Sequence, residues 1–125
     1  MKDLMLKKCL KCGSLVKVIN DCDCENCGIM CCGEKMSVVV ANSVDASFEK
    51  HIPNYEVIGD EMKITVNHVM EEEHYIEWIL VQTETGSQEK HFKSGDVLEF
   101  VVPYTKGSVI YAYCNKHGLW KKVVE

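Results

Sequence analysis

The sequence predicts a mainly β chain in two parts: a small metal-stapled segment, then a sandwich or barrel of short strands. Three observations predict it. Seven of the eight cysteines fall within the first 32 residues. From Ser37 onward the chain becomes rich in Val, Ile, Tyr and Phe, with turn-forming residues recurring at short intervals. No helical period of any length, internal repeat or low-complexity tract breaks that pattern.

Residues 1–36 hold too few large apolar side chains to bury a core, so they need a staple, and metal is the available one. "CLKC" at Cys9 and Cys12 is a knuckle whose two thiolates can grip one ion. Cys31 and Cys32 complete a set of four, which suits zinc or a single iron. Adjacent ligands demand an unusual local backbone, and Gly33 directly after them helps to allow it. "DCDCENC" adds Cys22, Cys24 and Cys27. These are surplus loop thiols, or they replace part of the set, or they join it to hold an iron–sulfur cluster. Spacing leaves the three readings open.

The second part, residues 37–125, is expected to form strands at Val38–Ala41, Tyr55–Ile58, Met62–Val66, Tyr75–Thr83, Val97–Val102, Val109–Cys114 and Trp120–Val124. Pro53-Asn54, Gly59-Asp60, Thr85-Gly86-Ser87, Ser94-Gly95-Asp96 and Lys106-Gly107-Ser108 supply the turns. In "SVIYAYCN" the alternation sets Ile110, Ala112 and Cys114 on one face and Val109, Tyr111 and Tyr113 on the other.

A formal net charge of -5 gives no concentrated basic face for nucleic acid. No apolar run approaches the roughly 20 residues that cross a bilayer, so no membrane partner is expected. "MKDLMLKKCLKCG" lacks the apolar stretch and cleavage site of a signal peptide, and the expected location is cytoplasmic. In that reducing compartment a dense cysteine set favours metal over disulfides.

Five histidines remain to be explained: His51, His68, His74, His91 and His117. His91, in the polar "EKHFKSG", is expected to be a surface residue. His68 and His74 bracket "VMEEE", and a fully extended chain would hold them roughly 20 Å apart. A shared ion therefore requires that segment to loop back, its glutamates staying solvated. Cys114 and His117 would face opposite sides of a continuing strand, so joint ligation needs a turn, for which Asn115 and Gly118 are suited. Trp78 and Trp120 are expected in the core or the wall of a site.

"FEKHIPNYE", "HVMEEEHYIEWI" and "YCNKHGLWK", in this order, resemble the superoxide reductase family. "CLKCG" and "CCGEKM" resemble the N-terminal domain of its two-iron members, the desulfoferrodoxins. The resemblance implies a desulforedoxin-like domain over 1–36, an immunoglobulin-like β-sandwich over 37–125, and a homodimer. It implies that His51, His68, His74 and His117 are equatorial ligands of one iron and Cys114 its axial thiolate. Glu49 matches the carboxylate that fills the sixth position in the oxidised form, and Lys50 the cation beside the open position. Without the motif both are ordinary surface residues. The second iron maps onto Cys9, Cys12, Cys31 and Cys32. The implied reaction is one-electron reduction of superoxide to hydrogen peroxide, with rubredoxin or a similar small iron protein as donor. The rival readings are a non-catalytic iron electron-transfer protein and a zinc-stapled interaction module. Val69 stands where the family commonly has proline, which bears on loop stiffness.

Overall fold

The computed structural model describes residues 1–44 and 48–125, and the side chains of residues 48 and 49 lie outside that description. The chain divides into two compact units, residues 2–40 and residues 41–125, with Met1 grouped with the second.

In the N-terminal unit β1 (Leu6–Lys8) pairs antiparallel with β2 (Leu15–Lys17). A two-residue hairpin follows, β3 (Met30–Cys31) against β4 (Glu34–Lys35). The strand expected at Val38–Ala41 is shorter and belongs elsewhere. It is β5 (Ser37–Val38), and it pairs with Lys7 and Lys8 of β1 as the third strand of the sheet β2-β1-β5. The sequence change at Ser37 marks where apolar residues begin, whereas the chain keeps hydrogen-bonding to β1 through Val39, whose N–H donates to Leu6 O. These strands are two or three residues long, too short for the period-2 pattern to show in the sequence.

The C-terminal unit begins its regular structure with one helical turn, α1 (Phe48–His51). It continues with β6 (Asn54–Ile58), β7 (Glu61–Thr65), β8 (Ile76–Gln82), β9 (Ser87–His91), β10 (Glu99–Pro103), β11 (Val109–Cys114) and β12 (Gly118–Val123). Two antiparallel sheets result, ordered β10-β7-β6 and β12-β11-β8-β9. Met62 and Ile64 from the first sheet, and Ile76, Ile79 and Ile110 from the second, are fully buried and share one core cluster. Each such side chain contributes about 1.5–3 kcal/mol relative to exposure. The architecture is the β-sandwich expected. β9 is an addition to the expected strands, because its "SQEKH" is exposed at every position and carries no alternation. It is an edge strand held to β8 by backbone bonds, from Gln82↔Ser87 to Trp78↔His91.

β11 is buried at all six positions. Its Ile110, Ala112 and Cys114 enter the core cluster, as the alternation requires. At its far end the pairing with β8 shifts register between Tyr113 and Cys114. Such an irregularity re-aims a side chain at the rim of a sheet, and here the side chain is Cys114.

Candidate functional site

The five candidate ligands of the C-terminal unit come from three segments. His51 closes α1 and is buried at 4% exposure. His68 and His74 lie between β7 and β8. That segment does loop back: the Glu71 N–H donates to His74 O at 2.9 Å, and the His74 N–H to Glu71 O at 3.3 Å. Cys114, fully buried, ends β11, and Cys114↔Gly118 is the last pair of the β11–β12 hairpin. The intervening turn returns His117 toward the sulfur, with the His117 N–H 3.4 Å from Cys114 Sγ. Gly118, at φ 78°, sits where a side chain would be strained.

One donor atom each from His51, His74, Cys114 and His117 lies within 4.8 Å of all the others. His51 Nε2 and His117 Nδ1 are 3.1 Å apart. His68 Nε2 is 3.4 Å from Cys114 Sγ, and its ring lies 4.8 Å from His51 and 4.6 Å from His74. These separations fit a single ion, since metal–nitrogen bonds of about 2.1 Å at right angles set neighbouring nitrogens about 3 Å apart. Two further observations favour a metal over a hydrogen-bonded histidine cluster. His74 Nε2 is buried with no hydrogen-bond partner among the described residues, and such a group is costly unless something binds it. His68 Nδ1 donates to Val69 O at 2.5 Å, which leaves Nε2 as the lone-pair nitrogen facing the sulfur. Burial first, then the neighbouring imidazoles, pushes His68 below the ordinary histidine range; at His74 burial, His117 and Lys116 do the same. Neutral imidazole is the ligating form.

Lys50 is exposed on α1 beside His51. The side chain of Glu49 lies outside the described residues. His91 sits on exposed β9, 3.0 Å from Glu89, and takes no part.

Two supporting residues are more than the turn former and wall residue expected. Asn115 stitches the Cys114 turn to the His74 loop: its Nδ2 donates to Glu73 O at 2.9 Å, its Oδ1 accepts the Tyr75 N–H at 3.0 Å, and its own N–H donates to Tyr75 O at 3.2 Å. It thus holds the peptide groups on both sides of His74. Trp120 stacks on His51 at 4.8 Å and donates its indole N–H to His117 O at 3.1 Å. The sequence signals for these roles are an amide side chain between two ligands, which can bridge backbone groups, and a large ring in register with Ala112.

In the N-terminal unit, Cys9, Cys12, Cys31 and Cys32 bring their sulfurs within 4.8 Å of one another. Cys12 Sγ is 3.6 Å from Cys31 Sγ, and Cys31 Sγ is 3.9 Å from Cys32 Sγ. Metal–sulfur bonds of about 2.3 Å at tetrahedral angles require sulfurs about 3.8 Å apart. A cluster would interpose sulfide and several irons, so this spacing suits one ion. The adjacent pair is accommodated by positive backbone angles at Cys32 (φ 52°) and Gly33 (φ 79°). Ser14 beside Cys12 holds that thiol down at about 6, whereas the Cys12 and Cys9 contacts push Cys31 up to about 12. Cys22, Cys24 and Cys27, the alternative ligands, stay outside this group. Cys22 and Cys27 are joined by a disulfide, and Cys24 is an exposed free thiol.

The family model for desulfoferrodoxin matches residues 43–123. The chain belongs to the desulfoferrodoxin family. It is 38% identical over 119 residues to desulfoferrodoxin of Nitratidesulfovibrio vulgaris, covering 91% of each chain. It is 36% identical over 121 residues to that of Syntrophotalea carbinolica, covering 94% of each. Its structure is similar to the superoxide reductase of Treponema pallidum, with 31% identity and a TM-score of 0.71, covering 97% of this chain and 99% of that one. In this family setting the four-histidine, one-cysteine group and the four-cysteine group are consistent with the two-iron arrangement of a desulfoferrodoxin.

Proposed function

We propose that the chain is a superoxide reductase: an oxidoreductase that turns superoxide into hydrogen peroxide at an iron held by His51, His68, His74, His117 and Cys114. The observation that carries this reading is the convergence of four imidazoles and one buried thiol on a space one ion wide, with His74 Nε2 unpartnered among the described residues. Iron bound there supplies one electron to superoxide, and two protons complete hydrogen peroxide.

The chain's own residues set the conditions. Four neutral imidazoles and one thiolate carry a single negative charge, so a dication among them leaves a local positive centre in a chain whose formal net charge is -5. That local sign draws in an anion which the whole-protein field repels. Lys50, exposed next to His51, adds an ammonium to the approach, and the family motif pairs it with Glu49 as the carboxylate that would help to hold the iron once oxidised. The His117 N–H fixes the Cys114 sulfur, and Trp120 fixes the His51 ring. Five protein donors would hold an iron there while leaving it open to a small substrate, which a pure electron carrier has no need of.

The four-cysteine centre, with Cys12 and Cys32 exposed, supports electron entry from a small iron protein such as rubredoxin. Exposed Leu10, Ile19, Val38 and Val40 on the N-terminal unit support a homodimer. No helix among the described residues is long and apolar enough to cross a membrane, and cytoplasmic residence is part of the same proposal. The test is to mix reduced, iron-loaded protein with superoxide. Stoichiometric oxidation with peroxide formed and no oxygen released is expected. A chain that stays reduced is an electron carrier and overturns the reading.

A further inference from the structure

The feature that neither metal centre absorbs is the loop between β2 and β3, where "DCDCENC" crosses a stretch without strands. We propose that Cys22 and Cys27 form a reversible dithiol–disulfide couple oxidised by hydrogen peroxide. The proposal rests on the reading above only for the source of the oxidant, since peroxide is the product of that chemistry.

The disulfide is a poor staple. It joins residues five apart within one loop, connects no two strands, and closes a small ring, which constrains the unfolded chain least. The unit is already held by Cys9, Cys12, Cys31 and Cys32, whose sulfurs converge without it. It is also accessible, with Cys22 exposed and Cys27 half-buried.

The loop stays in place when the bond opens, because its anchors contain no sulfur. On one side buried Lys7 reaches Asp21 at 3.0 Å, and the Cys22 N–H donates to the same carboxylate at 2.9 Å. On the other, the Met36 N–H donates to Ile29 O at 2.8 Å. Between them Asn26 adopts a left-handed conformation (φ 59°), a geometry asparagine tolerates, and turns the chain back so that Cys27 faces Cys22. Two thiols held facing each other in this way re-form their bond without searching. Asp23 and Glu25, both exposed, repel an anion such as superoxide but not neutral peroxide.

The chemistry balances as follows. One thiolate attacks an oxygen of hydrogen peroxide, the O–O bond breaks, and hydroxide leaves as water, giving a sulfenic acid. The second thiolate attacks that sulfur, the S–O bond breaks, the S–S bond forms and a second water leaves. Two thiols lose two electrons, and one peroxide gains them. An external dithiol returns the pair to the reduced state through a mixed disulfide. Cys24, free and exposed between the two, can take the place of Cys22 when that residue is missing: its thiolate attacks a sulfenic acid on Cys27, the S–O bond breaks, the S–S bond forms and water leaves.

The test uses full-length, iron-loaded protein, reduced with dithiothreitol, desalted without oxygen and treated with added hydrogen peroxide. Peptide mapping after alkylation should show a Cys22–Cys27 disulfide that dithiothreitol reverses. Cys24→Ser should form the same bond. Cys22→Ser should yield Cys24–Cys27 or a dimedone-trapped sulfenic acid on Cys27. Three results overturn the proposal: Cys22 and Cys27 fully alkylated after peroxide, a disulfide that resists dithiothreitol, or loss of N-terminal metal from Cys22→Ser/Cys27→Ser. Because peroxide is added directly, a protein inactive toward superoxide can still pass, and an active one can still fail.

Discussion

At the N-terminal centre four thiols meet near the surface of a unit with strands of two or three residues. At the C-terminal centre one thiol and four imidazoles meet at the end of a buried strand, beside a core of branched apolar side chains. The first site creates its fold, because little else holds residues 2–40 together. The second is created by its fold, because β7, β8 and β11 exist through apolar burial and deliver ligands at their ends. A ligand set that staples must be local and thiol-rich, whereas one that reacts can be scattered over sixty residues and kept in shape by a rigid scaffold.

Removing metal tests that contrast with the largest effect. Chelation should unfold the N-terminal unit, as it does small domains whose structural metal contributes about 10–16 kcal/mol, while the sandwich keeps its strands. Hydrogen exchange read by residue should show protection lost over Leu6–Lys17 and retained over Ile76–Gln82 and Val109–Cys114. An N-terminal unit that stays protected without metal would break the distinction.

The next effect is chemical. Replacing Cys114 with Ser removes the sole thiolate of the C-terminal set and substitutes a weak oxygen donor. Superoxide reduction followed by stopped flow should fall by more than about 100-fold, beyond the 10- to 100-fold typical of residues that only support ligands. The N-terminal centre should keep its absorption, since its four sulfurs lie in the other unit.

Asn115 allows a finer cut. Asn115→Ala deletes two of the three bonds that hold the peptides around His74, and iron affinity measured by competition with a chelator should drop by about 10- to 100-fold. Asn115→Asp keeps the acceptor for the Tyr75 N–H but loses the donor to Glu73 O, and should fall between. The apo protein's melting temperature should move little in either, which separates positioning a ligand from holding the fold.

How much of this the sequence shows depends on the range of the interaction involved. Val109–Cys114 and the turn at Asn115–Gly118 are legible because alternation and turn chemistry act over a few residues. β9 is not, because its partner supplies the reason for its existence. The convergence of His51 with His117, 66 residues apart, is reached through resemblance; spacing alone leaves it open. The bonds of Asn115 to the His74 loop, and the choice of Cys22 for Cys27, depend on where loops settle after folding, and no local pattern encodes them.

Acidification gives the smallest and most selective effect. In the metal-free sandwich His68 and His74 titrate below the ordinary histidine value of 6.5, chiefly through burial. Above that value both the folded and unfolded chains hold them neutral, and they contribute no pH dependence. As pH falls below 6.5 the unfolded chain takes up protons that the folded chain refuses, so stability is lost through the window between 6.5 and the lower native values. The apo sandwich should therefore melt a few degrees lower at about pH 5.5 than at about pH 7.5. Occupying the site should suppress the difference, because a bound ion holds the imidazoles neutral in the native state until acid displaces it. Stripped of metal, the N-terminal unit should show no transition at either pH, since protons there act on thiols that no longer have a fold to stabilise.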